Sequence, residues 1–199
     1  MKGVADSLAG RLCPLELMPL SLYERQGKGL EHKPYVPSVL PAKTLSAGDA
    51  ADLWKTIWQG AWPRVINMTP RQRLFFYSGL VQTYLERDVR AEAGVEKLSA
   101  FRGFLRELAL RTGQELRIGD IAKTVGVSDK TINGWLSIAE NSGLIYLLRP
   151  YYANIGKQFV KSPKIYFTDT GLAAYLIGFS SPGKMAEYTA SGAFFETFV

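Results

Sequence analysis

Apolar residues along this chain recur mostly at three- and four-residue steps, and that spacing predicts a mainly helical fold. The exception comes early. Residues 12–19, LCPLELMP, form a strand-length apolar run that ends at Pro19, and LSLYE then starts a helix. Residues 25–48 are rich in Gly, Pro, Lys and Ser and read as a connector or flap. Asp49 or Ser46 then caps a helix through DLWKTIWQG, which Gly60 and Pro63 punctuate. Thr69 with Pro70 opens a longer helix whose inward face is expected to hold Leu74, Tyr77, Val81, Tyr84 and Leu85. From Leu98 to Leu110 the pattern repeats, with Phe101, Phe104, Leu105, Leu108 and Ala109 sharing one face.

The sharpest local signal begins at Arg117. IGDIAKTVG places Ile118, Ile121, Ala122 and Val125 inward and closes on Gly126. Ser128 caps SDKTINGWLSIAENSG, where Ile132, Trp135, Leu136 and Ala139 face inward and Gly143 supplies a left-handed stop. Two short helices joined by a tight turn make a helix-turn-helix. Two β-like runs follow, Leu144–Leu148 and Lys164–Phe167, and a helix pair closed by such a wing is a winged helix. Asp169 caps a last helix, TGLAAYLIG. The terminal GAFFETFV reads as the first turn of a further domain. The expected fold is therefore mainly α with a small β-hairpin, a helical bundle at 49–98 joined to a winged helix-turn-helix at 99–178.

Composition narrows the chemistry. No apolar run approaches the roughly 18 residues that span a bilayer, and the N-terminus lacks the apolar core of a signal peptide, so a soluble cytoplasmic protein is expected. With one cysteine, Cys13, and one histidine, His32, neither an internal disulfide nor a Cys/His zinc site can form. The same shortage argues against Ser-His-Asp or Cys-His catalysis. Net charge is +6, and residues 99–178 hold ten Lys/Arg against six Asp/Glu. Between Arg149 and Lys164 there are four basic residues and no acid, a stretch that invites a polyanion.

The stretches SLAGR, LMPLSLYE, YLERDVR, RTGQEL, the run from Ile121 to Gly178 that contains PYYANIGK and KSPKIYFTDTGL, and GAFFETFV together span nearly the whole chain. In these the chain resembles a family of prokaryotic AAA-type ATPases with a C-terminal domain of unknown function. The resemblance implies an order of parts: a nucleotide-binding core, a helical region, the winged helix and a nuclease-like domain. On that reading residues 1–48 are the remnant edge of the core, with a remnant strand of its α/β sheet near Cys13. Residues 179–199 begin the nuclease-like domain, and the rest of the parent protein is the expected partner. ATP and Mg2+ are implied for the full-length parent and no cofactor for this chain. No G-x-x-x-x-G-K-[ST] occurs here, and that loop's backbone nest and lysine are what cradle phosphates. Arg11 matches a Gly-Arg position that implies a phosphate-sensing role, and Glu196 matches the opening glutamate of the nuclease-like part.

Two functions compete for the winged helix. As a DNA reader, its second helix enters the major groove with Lys130, Thr131 and Asn133 facing bases, while Arg149, Lys157, Lys161 and Lys164 touch phosphates. As an interdomain or protein-interaction module, within the parent protein or a homo-oligomer, it docks through aromatics such as Tyr151, Tyr152 and Phe159. The second helix carries Lys130 as its one basic residue beside Asp129 and Glu140, and this favours the interaction module.

Overall fold

A computed structural model describes residues 17–31, 49–84, 98–151 and 162–199, the side chains of Glu31 and Tyr84 aside. Cys13, His32, Leu85, most of the expected strand and residues 32–48 of the flap lie outside the described residues. Helix starts follow side-chain chemistry. In α1, Leu22–Arg25, the Ser21 hydroxyl accepts from the Glu24 N–H while the Glu24 carboxylate takes the Ser21 N–H, a reciprocal capping box. Asp49 caps α2, Ala50–Gln59, which stops at Gly60 in a positive-φ conformation (+88°) that suits glycine. A second capping box, between Thr69 and Gln72, opens α3, Pro70–Tyr84.

Next come α4 at Leu98–Leu110, β1 at Gln114–Glu115, α5 at Ile118–Val125 and α6 at Asp129–Asn141. Gly126 ends α5 in the left-handed region, and the Ser128 hydroxyl accepts from the Thr131 N–H to start α6. β2, Ile145–Leu148, and β3, Lys164–Phe167, precede α7 at Thr170–Ile177, α8 at Pro182–Ala186 and α9 at Ser191–Phe198. The result is mainly helical with one three-stranded antiparallel sheet, in the order β1–β3–β2. β2 lies against β3 from Ile145 opposite Phe167 to Leu148 opposite Lys164, and β1 sets Glu115 opposite Lys164. β1 was not expected, because two residues are too few to carry an alternating pattern.

All five apolar residues expected inward on α4 are buried, as are Ile132, Trp135, Leu136 and Ala139 of α6. Trp135 meets the rings of Phe101 and Phe104 at 5.2 and 5.5 Å, which locks α6 across α4. Burying one such aromatic stabilises the fold by about 1.5–3 kcal/mol. The same core takes in Ile57 and Trp58 of α2 and Tyr77 of α3, so it runs without a break across residue 98. It also takes in Met185 and Phe194, and the Phe179, Tyr188 and Phe194 rings pack edge to face. Residues 179–199 are thereby folded onto α2, whose Trp58 Nε1–H donates to the Phe179 carbonyl at 2.8 Å.

On α3 the inward face differs from expectation. Leu74 is 52% exposed, and Arg73 takes its place in the interior at 3%. The cause lies in partners rather than hydropathy, since Arg73 finds carbonyls and ring faces there that a leucine could not use.

Candidate functional site

α5 and α6 present a polar outer surface. Lys130 and Asn133 are exposed and Thr131 half-buried, all near the N-terminal end of α6. Two of the three are engaged locally. Thr131 Oγ1 lies 2.9 Å from the Ser128 hydroxyl, and Asn133 Nδ2 donates to the Asp129 carbonyl at 3.0 Å. The charged residues within the two helices are two lysines, Lys123 and Lys130, against three carboxylates, Asp120, Asp129 and Glu140, and all five are exposed. This surface has no basic excess.

The hairpin side is different. Strand alternation turns Ile145, Leu147, Ile165 and Phe167 toward the core and Tyr146, Leu148, Lys164 and Tyr166 outward. Arg149 follows β2 on the surface. Lys164 is already paired: its Nζ donates to Glu196 Oε1 at 2.7 Å, and the Tyr166 hydroxyl donates to the same oxygen at 2.5 Å. The hydrogen bonds from Lys164 and Tyr166 hold the Glu196 carboxyl below the usual carboxylate range. In return the bond to Glu196 raises the Lys164 amine. Thus Glu196 pins α9 to β3, next to a 2.9 Å contact between the Thr112 and Thr197 hydroxyls. Arg11, Lys157 and Lys161 lie outside the described residues.

The most elaborate polar arrangement was not anticipated. Asp169, 1% exposed, caps α7 and accepts three hydrogen bonds, from Leu172 N–H (2.6 Å), the Tyr77 hydroxyl (2.7 Å) and Ala61 N–H (2.6 Å). Arg73 lies between the Trp58 and Tyr77 rings, with its guanidinium carbon 3.9 and 5.0 Å from their centres. It donates to the carbonyls of Trp58 (2.6 Å), Gly171 (2.9 Å) and Gln59 (3.3 Å). Arg25 adds bonds to the Gly60 carbonyl and the Gln59 side chain, at 2.6 and 3.1 Å. These groups satisfy the open carbonyls at the end of α2 and the open amides at the start of α7, and so clasp the two helix ends together.

Burial pushes the Asp169 carboxyl upward against the pull of its donors and Arg73, and burial likewise raises the Tyr77 hydroxyl beside that carboxylate. Because every contact on Asp169 is a donation to it, the arrangement suits the ionised form. A metal ion at Asp169 would have to displace these donors, and among the described residues no group of three or more His, Cys, Asp or Glu gathers. Of the clasp, the sequence signals only Asp169, as a cap, and Tyr77, as an inward ring. No local pattern marks Arg73 or Arg25 as part of it.

None of the described helices is long and apolar enough to cross a membrane. Proteins of Mycobacterium bovis and Mycobacterium tuberculosis, each described as uncharacterized, are 27% identical to this chain over 196 residues, covering 98% of it and 39% of their own length. An uncharacterized protein of Haemophilus influenzae is 26% identical over 182 residues, covering 88% of this chain and 42% of its own length. The chain therefore spans about two fifths of the curated relatives it matches. No solved structure matches it. The model of a domain of unknown function, DUF8612, matches residues 50–183, from the first residue of α2 into α8 and including every clasp residue but Arg25. With more than half of its length matched, the chain belongs to the DUF8612 family.

Proposed function

We propose that this chain is a docking module, a winged helix fused to a helical bundle, that joins domains or proteins within an AAA-type ATPase. The order α4–β1–α5–α6–β2–β3, with the strands arranged β1–β3–β2, supports the winged-helix part of this reading. ATP and Mg2+ belong, on this reading, to a nucleotide-binding core elsewhere in the parent protein. Residues 1–48 would then border that core.

The observation that carries the docking role is the charge on the groove-facing helix. A helix that reads duplex DNA needs cations and free polar side chains near its N-terminus. Here Lys130 stands among carboxylates, and Thr131 and Asn133 are held by the helix itself. A near-neutral surface of short polar side chains suits a protein partner better than a phosphate backbone.

The test separates the two readings. Asn133→Arg and Ser137→Arg, both on the exposed side of α6, are compared with Lys130→Ala for crosslinking to the parent's nucleotide-binding region and for duplex DNA binding at several salt concentrations. The docking role expects the arginines to weaken crosslinking and Lys130→Ala to leave it intact. Duplex affinity that drops with Lys130→Ala, together with a salt slope shallower by about one, would overturn it.

A further inference from the structure

Residues 17–31 lie against the clasp without being buried in it. None of residues 17–30 is buried, and the large apolar Leu17, Met18, Leu22 and Leu30 are all exposed, so apolar burial does little to hold the segment. Its turn of helix is closed from within at both ends. The Ser21–Glu24 capping box opens α1, and Gly27, at φ +72°, closes it. There the Gly27 N–H donates to the Glu24 carbonyl and the Lys28 N–H to the Tyr23 carbonyl. Leu20 and Arg25 attach the segment to Gln59, Gly60 and Ala61. The Leu20 N–H donates to the Ala61 carbonyl at 2.9 Å, and Arg25 to the Gly60 carbonyl and the Gln59 side chain.

The Gly60–Ala61 peptide is where this attachment meets the clasp. Its carbonyl accepts from Arg25 at 2.6 Å, and its N–H donates to Asp169 Oδ2 at 2.6 Å. A peptide unit is a rigid plane, so a tilt that frees one edge misaligns the bond on the other. There is little slack around it, since a Cβ at Gly60 would lie 2.7 Å from either Asp169 oxygen and 2.3 Å from the Tyr77 hydroxyl. Asp169 in turn holds the Leu172 N–H at the start of α7. We infer that residues 17–31 form a releasable strap with Arg25 as its latch, and that release loosens the hold of Asp169 on α7 while the core stays folded. Opening is inexpensive, because water replaces the bonds that Leu20 and Arg25 give up and little apolar surface is exposed. The strap makes no use of α6 and so goes beyond the docking role.

The experiment follows amide hydrogen exchange of the whole native chain, residue by residue, by NMR. In the wild-type chain the amides of Arg25, Gln26 and Lys28 are expected to exchange ahead of those in α4, as local opening requires. Arg25→Ala is expected to speed exchange at Ala61 and Leu172, the two amides on Asp169, by about tenfold, as for the loss of one charged hydrogen bond. The amides of α4 and α6 are expected to stay unchanged. Arg25→Lys reaches one carbonyl but lacks the fork for both partners, and is expected to fall between. Lys28→Ala, exposed on the same segment, is the control and is expected to match wild type. Strap amides that exchange together with α4 overturn the strap. Wild-type protection at Ala61 and Leu172 in Arg25→Ala overturns the latch. Faster exchange spread evenly over α4 and α6 overturns it too, because Arg25 would then support global stability alone. The α6 variants described above are expected to leave all these amides unchanged, so the failure of either idea can be told from that of the other.

Discussion

The hydroxyl of Tyr77 donates to Asp169 Oδ1 at 2.7 Å across 92 residues of sequence, and this bond couples the middle of α3 to the first turn of α7. Ring and carboxylate are both buried, so neither can turn to water when its partner is lost.

Removing that hydroxyl is expected to be costly although almost nothing changes in shape. Tyr77→Phe keeps the ring packed and takes away one of the three donors on Asp169, a loss of about 1–3 kcal/mol. Asp169→Asn is expected to lose a similar amount despite its size. With its oxygen toward Tyr77 and Leu172, its NH2 faces the Ala61 N–H, donor against donor. Urea unfolding of the two variants checks both values, and a wild-type midpoint for either would refute the clasp as a stabilising unit.

A methyl group in the clasp tests how closely the helix ends approach. A Cβ at Gly171 would lie 2.3 Å from the Tyr77 hydroxyl and 2.4 Å from the Gln59 carbonyl oxygen. Backbone is one of the two obstacles, so the contact cannot be relieved by a rotamer change alone. Gly171→Ala is therefore expected to lower the melting temperature. Gly119→Ala serves as the control, since its Cβ would meet nothing within 4 Å and alanine favours a helix. Equal melting temperatures for the two would contradict the described packing.

The attachment of α9 is expected to depend on pH through Lys164 and Glu196. The carboxyl of Glu196 is lowered, so its contribution is complete above the free glutamate range and lost as pH falls through the lowered value. The Lys164 amine is raised, so its contribution is complete below the free lysine range and lost as pH climbs through the raised value. Between these limits α9 is held most firmly. Hydrogen exchange of residues 191–198, corrected for intrinsic rates, is expected to show protection weakening at the acid end, and Glu196→Gln to abolish that trend. An acid-end trend that persists in Glu196→Gln would assign it to other groups.

Elements with a repeating pattern and a cap were legible from the amino acids. α4 and α6 each bring four or five apolar residues to one side, and both buried them as expected. Ser128, Gly126 and Asp169 marked helix ends by local chemistry alone. What stayed hidden depended on distant residues. Arg73 in TPRQR looks like a solvated cation until the Gly171 carbonyl, 98 residues on, gives it a partner. Leu74 fits the three- and four-residue steps of α3 and was expected inward, yet it is exposed and the interior place belongs to Arg73. β1 has two residues and exists because β3 offers it an edge. On the outer surfaces, side-chain exposure on α6 and on β2 follows directly from the helical and strand periods. The pairing of Lys164 with Glu196 does not, because it needs the packing of α9.

The clasp also orders events during synthesis. The Ala61 amide waits 108 residues for the Asp169 carboxylate. Until that aspartate leaves the ribosome, α2 and α3 hold an arginine poised for a desolvated seat and an apolar surface without its cover. Such a nascent intermediate invites chaperone capture or misassembly, and pairings this remote in sequence form slowly. The clasp can therefore close only once the β2–β3 hairpin that lies between its two ends in the sequence has been made.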